Sequence, residues 1–113
     1  MMKRTIPVGL LAILLAGPAM AKDTRFWNLM SSTVESIELA PTGTSAFGPN
    51  QTKNDPDGTV DHDERLKVLD VATGVYDARL KLADGRKCRV EGLSIEAGKV
   101  FSIEEKELAD CSR

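Results

Sequence analysis

Three features of the sequence predict an all-β chain built as a small antiparallel β-sandwich. Residues Val75–Leu82 alternate, with Tyr76, Ala78, Leu80 and Leu82 on one side and Asp77, Arg79 and Lys81 on the other, which is the two-residue period of a half-buried strand. Asp84-Gly85 follows directly, a strong hairpin signal, and Arg86–Val90 returns with Cys88 and Val90 inward. Roughly six or seven short apolar segments recur along the chain between glycine turns, the spacing of a sandwich.

The chain opens with Lys3 and Arg4, an apolar run from Ile6 to Ala16, and Ala19-Met20-Ala21. A basic head, a short apolar run and small residues at A-x-A spacing predict a cleaved secretory signal over residues 1–21. The run is too short to span a bilayer comfortably, so the expectation is export to the periplasm with no membrane association after cleavage. Residues 22–113 are then one domain. Removing Lys3 and Arg4 from the fifteen basic residues leaves thirteen against seventeen acidic ones, a net charge of −4. That balance argues against a nucleic-acid or anionic-membrane partner, which needs a basic face, and allows a cationic one.

Taken in order, Arg25–Met30 is the first predicted strand and Ser31-Ser32-Thr33 a turn. In Val34–Leu39 the apolar residues do not alternate cleanly, which predicts a bulge near Glu35 or Ser36 before Pro41. Residues Thr42–Lys53, rich in Gly, Thr, Ser, Pro and Asn, read as a loop whose Phe47 tucks into the core edge. In Arg65–Val71, Leu66 and Val68 alternate with charges, which favours a strand. Ala72-Thr73-Gly74 turns the chain into Val75–Leu82. Beyond Gly92, Leu93–Ile95 prolongs the returning strand, Glu96-Ala97-Gly98 turns, and Val100–Ile103 is the last strand. Glu104–Ala109 is expected to make one helical turn that carries Cys111 back to the sheet. Cys88 and Cys111 are the two cysteines, and an even pair in a small exported domain predicts one disulfide.

Between the loop and the third strand lies Asn54–Arg65, with Asp55, Asp57, Asp61, Asp63 and Glu64 and no basic residue among them. Five carboxylates so close repel unless water, salt or a cation screens them. Asp57-Gly58-Thr59-Val60-Asp61-x-x-Glu64 matches the second half of an EF-hand calcium loop. In that alignment Asp57 is position 5, Gly58 the turn glycine, Thr59 the carbonyl donor, Asp61 position 9 and Glu64 the bidentate carboxylate. Asp55 falls on position 3 and can ligate, but Lys53 occupies position 1 and cannot while protonated. Asp63, at position 11, is a further oxygen donor. The opposing reading is a solvated acidic turn, since Asp-Gly and Asp-Pro are common turn chemistry.

Two resemblances add to this. Asn28, Val34-x-x-Ile37-x-Leu39-Ala40-Pro41-x-Gly43 and Phe47-Gly48-Pro49-Asn50, with Asp84-Gly85, Cys88 and Asp110-Cys111, resemble a family of small exported bacterial β-sandwich domains. That likeness implies an Ig-like or transthyretin-like sandwich and no particular chemistry. Asp55-Pro56-Asp57 and Asp57-Gly58-Thr59-Val60-Asp61 resemble the metal loops of lanmodulin-type periplasmic lanthanide-binding proteins, with the two pieces overlapping at Asp57 so that this loop is two residues short. The whole chain is similar in kind to landiscernin-like proteins of lanthanide handling. The resemblance implies lanthanide(III) or Ca²⁺ as the ligand, with Asp55, Asp57, Thr59, Asp61, Asp63 and Glu64 as candidate donors.

No catalytic constellation is present in the sequence. Ser31 and Ser32 lack a nucleophile-elbow context, and His62 is the one histidine. The expectation is a non-enzymatic hard-cation binding protein, with a metal-linked homodimer supplying the coordination that one chain lacks. The alternative is a periplasmic interaction or structural domain with no metal.

Overall fold

The structure is a computed structural model that describes residues 22–113; the predicted signal segment lies outside the described residues. Seven strands follow in order: β1 Thr24–Leu29, β2 Val34–Pro41, β3 Arg65–Val68, β4 Gly74–Leu82, β5 Lys87–Ile95, β6 Val100–Glu104 and β7 Ala109–Ser112. They form two sheets, β3-β1-β6 and β2-β4-β5-β7, packed as a small β-sandwich. Alternation decides which side of each strand is dry. In β3, Leu66 and Val68 are buried and Arg65 and Lys67 exposed; in β6, Phe101 and Ile103 are buried between exposed Val100 and Glu104. Both sheets feed one core, with Phe26, Leu66 and Ile103 from the first against Ile37, Leu80, Leu82, Val90 and Ile95 from the second. Phe26 and Phe101 meet with ring centroids 5.6 Å apart.

One pairing departs from the antiparallel plan. β1 is antiparallel to β3, with Trp27 opposite Arg65, but parallel to β6, with Phe26 opposite Phe101. Parallel neighbours need a long crossover, and here it passes through the other sheet. No local signal in the sequence encodes such a partner.

The bulge predicted in β2 is found between Val34 and Ser36. A second bulge interrupts the β4–β5 register between Tyr76 and Ala78. Gly92 stands there at φ +72°, a left-handed conformation that glycine adopts without steric cost. The alternation of β4 holds, with Ala78, Leu80 and Leu82 in the core and Tyr76 packed against it, but Asp77 on the opposite face is not solvated like Arg79 and Lys81: it is 4% exposed. Its carboxylate accepts hydrogen bonds from Thr42 Oγ1 at 2.8 Å, Gly43 N at 3.1 Å and Gly92 N at 3.2 Å. Phe47 also differs from expectation. It lies outside the core cluster and is only partly buried, with the Arg79 guanidinium 4.1 Å from its ring centroid. Cation–π attraction there replaces core packing.

The segment between β2 and β3 closes one side of the sandwich. A short 3-10 turn, Gln51–Asn54, sets polar side chains across the open edges of both sheets. Asn50 Oδ1 accepts the Ile37 N–H at 3.0 Å and Thr52 Oγ1 donates to the Glu35 carbonyl at 3.1 Å, which serves β2. Asn54 Nδ2 donates to the Lys67 carbonyl at 2.9 Å, which serves β3. Edge groups that would otherwise invite another strand are thereby satisfied. On the far side, Cys88 of β5 and Cys111 of β7 form the predicted disulfide. All four residues of β7 are exposed, so little apolar burial holds that strand. The covalent closure of 23 residues contributes about 3 kcal/mol in the chain-entropy account.

Candidate metal site

Everything at the acidic end hangs on Asn28, the fully buried amide in β1. Its Nδ2 donates to the Val60 carbonyl at 2.9 Å and the Ser32 carbonyl at 3.0 Å, while Oδ1 accepts the Met30 N–H at 2.9 Å. Its main chain is held as well, by Asn28 N to Glu64 O at 3.0 Å and Asp63 N to Asn28 O at 2.6 Å. Val60, fully buried, exchanges both backbone hydrogen bonds with Val34 at 2.9 Å. The loop is therefore sewn to the sandwich at its centre by Val60 and at its exit by Asp63 and Glu64. Its carboxylates project from a fixed backbone.

The entry is an Asx turn. Asp55 Oδ1 accepts the Asp57 N–H at 2.8 Å and the Asp55 carbonyl accepts the Gly58 N–H at 3.0 Å. Gly58 sits at φ +75°, as the turn glycine of the predicted pattern should. The exit folds back on itself: Glu64 Oε1 accepts the Asp61 N–H at 2.7 Å and Glu64 N donates to the Asp61 carbonyl at 3.0 Å. Thr33 Oγ1 donates to Asp61 Oδ1 at 3.1 Å.

Two of the predicted donors, Asp55 and Asp61, lie near enough to a third, Glu64, to act on its carboxyl. The Asp61 N–H pulls the Glu64 carboxyl down, but burial, the adjoining Asp55 carboxylate and the charges of Asp55 and Asp61 outweigh it and hold Glu64 above the ordinary carboxylate value. Asp57 and Thr59 lie on the turn that joins Asp55 to Val60, Asp57 with its side chain exposed. Asp63 goes elsewhere. It adopts φ 69° and takes the Trp27 indole N–H on Oδ1 at 2.9 Å. Arg65, which closes the acidic run in sequence, has its guanidinium 4.2 Å from the Trp27 ring centroid. His62 Nδ1 lies 2.8 Å from the Met30 carbonyl; a carbonyl only accepts, so this nitrogen carries the proton. Among the described residues, none of the five loop carboxylates forms an ion pair with a lysine, arginine or histidine. Also among the described residues, no three His, Cys, Asp or Glu side chains are grouped closely enough to enclose a metal ion as they stand.

Sequence reasoning missed the anchors rather than the carboxylates. Trp27 reads only as part of the first strand, yet it is the hydrogen-bond donor that holds Asp63. Thr33 reads as turn, yet among the described residues it is the one side-chain donor on Asp61. Only their place in the sandwich, opposite the loop, gives them these roles. No protein-family model, curated protein or solved structure matches the chain.

Proposed function

We propose that the protein is a non-enzymatic binding module for a hard cation, Ca²⁺ or a trivalent lanthanide, acting in the periplasm through the Asp55–Glu64 loop. The observation that carries this reading is that Asp55 and Asp61 bear on the Glu64 carboxyl while, among the described residues, no cationic side chain pairs with any of the three. A hard cation relieves that repulsion and finds oxygen donors. The Thr59 carbonyl and the Asp57 and Asp63 carboxylates complete the donor set available on the loop. A trivalent ion gains more than a divalent one from the same carboxylates. Asp61 and Glu64 close on the ion by side-chain rotation, since the backbone beneath them is fixed. Lys53 stands where an EF-hand has its first ligand, so the remaining positions fall to water or to the loop of a second chain, a metal-linked homodimer.

Trp27 offers the test. It is the one tryptophan, and its hydrogen bond to Asp63 sets the indole against the loop. Terbium bound there should luminesce when the indole is excited, and La³⁺ or Ca²⁺ should quench that emission by competition. Titration calorimetry and sedimentation with the same ions give stoichiometry and any dimer. Binding to the folded state alone also raises thermal stability with ligand concentration. Asp61→Asn and Glu64→Gln should each remove the response. Silence at about millimolar Ca²⁺ and micromolar La³⁺ would sink the cation reading and leave an acidic interaction surface in its place.

A further inference from the structure

The opposite end of the sandwich holds a cavity of about 320 Å³. That volume is room for roughly ten water-sized groups, at the small end of ligand pockets. Its wall is apolar, formed chiefly by Leu39, Pro41, Pro49, Leu69, Val71 and Tyr76. The wall is also braced. Gln51 holds both backbone groups of Leu69, donating to its carbonyl and accepting its N–H at 3.0 Å each. Tyr76 Oη donates to the Ala72 carbonyl at 2.7 Å. The arch between these two anchors carries Leu69, 46% exposed, and Asp70.

Asp70 is the only carboxylate in the lining. It sits at φ 59°, a conformation that costs an L residue energy. Asp70 is exposed at the rim of the cavity, and among the described residues its side chain has no hydrogen-bond or ion-pair partner, so water solvates it. The contrast with Asp77, which accepts three hydrogen bonds a short way along the chain, is direct. An apolar wall with one unpaired carboxylate matches one ligand chemistry: an apolar body with a single positive charge. An anion would meet Asp70 and the net negative charge of the domain, and a neutral molecule would gain the apolar wall but nothing from Asp70.

We propose that this cavity is a second binding site, separate from the acidic loop, for a small apolar molecule carrying a cationic head group, with Asp70 as its counter-charge. The two sites share no residue, so either reading can fail alone.

Three ligands of one shape class test it: 2-phenylethylammonium, 2-phenylethanol and phenylacetate, titrated into the purified protein with amide and side-chain NMR shifts recorded. The ammonium should move Leu69, Val71 and the ring of Tyr76, the one tyrosine, and leave Trp27 still. The alcohol should bind the same residues more weakly and the carboxylate not at all. Asp70→Asn should raise the ammonium dissociation constant about two- to fivefold, the range of a partly exposed ion pair, and leave the alcohol unchanged. Ala46→Phe, on an exposed lining position, should block ammonium and alcohol alike with the Trp27 signals intact. Equal binding of all three ligands, no shift at about 10 mM, well weaker than ordinary small-ligand affinities, or ammonium shifts centred on Trp27 and Glu64 would each overturn the proposal.

Discussion

Glu64 and Asp77 are both carboxylates that accept backbone N–H groups, at opposite ends of the sandwich, and their surroundings drive them in opposite directions. Asp77 takes the Thr42 hydroxyl first, then the Gly43 and Gly92 N–H groups, with Arg89 nearby, and these hold it below the ordinary carboxylate value. Glu64 takes one N–H, from Asp61, and that single bond is outweighed by burial and by Asp55 and Asp61. Three donors and a cation make a carboxylate that is finished as a structural clamp, tying the loop after β2 to the bulge in β5. One donor and two like charges make a carboxylate with unmet demand. The difference between a structural and a binding carboxylate here is the count of donors against neighbouring negative charge, and not exposure alone.

The largest effect should come from cutting the anchor under the unsatisfied end. Asn28→Ala leaves the Met30 N–H and the Val60 and Ser32 carbonyls without their partner in a buried place, at a cost of about 3 kcal/mol. Urea unfolding should report it, and hydrogen exchange should show the loss concentrated at Val60 and Asp63. A uniform loss over both ends would break the idea that the acidic end is separately sewn on. Gly58→Ala is next. A methyl there meets nothing within 4 Å, so the cost is the left-handed backbone alone, about 1 kcal/mol, measured by the same unfolding in chelator. Terbium affinity should fall with it while the Tyr76 signals stay unchanged.

The smallest effects, and the ones that sharpen the comparison most, are in pH. Asp77 binds its proton less readily when folded than when unfolded, so its stabilisation is present above the ordinary carboxylate range and is lost as pH falls through its lowered value. Glu64 has the reverse sign. Its contribution is present below its unfolded value and is lost as pH rises through the raised one, leaving a penalty at neutral pH. In chelator at pH 7, Glu64→Gln should therefore raise the melting temperature and Asp77→Asn should lower it. Below about pH 4, where carboxylates protonate, both differences should shrink. Two shifts of the same sign at pH 7 would contradict the opposition drawn here.

Much of the sandwich was legible in the sequence because strands announce themselves locally. The alternation in Arg65–Val68 and Val100–Ile103, the Asp-Gly turn after Leu82, and the broken alternation that becomes the β2 bulge each need only a few neighbouring residues. The pairing of Cys88 with Cys111 needed only their number and the expectation of export. What stayed hidden depended on remote partners. Asp77 keeps step with Arg79 and Lys81 in sequence, and only the remote Thr42, Gly43 and Gly92 groups that close over it set it apart from them. The sequence offers all five acidic residues of the loop as donors, yet Asp63 goes to Trp27 while Asp55 and Asp61 lie near Glu64. Asn50, Gln51 and Asn54 read as loop polarity, and become the covering of two sheet edges only once those edges stand side by side.

The placement of β1 has a consequence for the time course of folding. Its two neighbours are β3 and β6, and the register of Phe26 with Phe101 joins the first strand of the domain to the sixth. The β4–β5 hairpin can zip from its own turn, but the three-stranded sheet must wait for residues far along the chain. Contacts of such separation slow folding towards the range of roughly milliseconds to seconds that all-β domains show. Until Val100–Glu104 arrives, Phe26 has no partner ring. The three-stranded sheet thus stays incomplete until β6 has been made, and β1 is among the last strands to have both its neighbours.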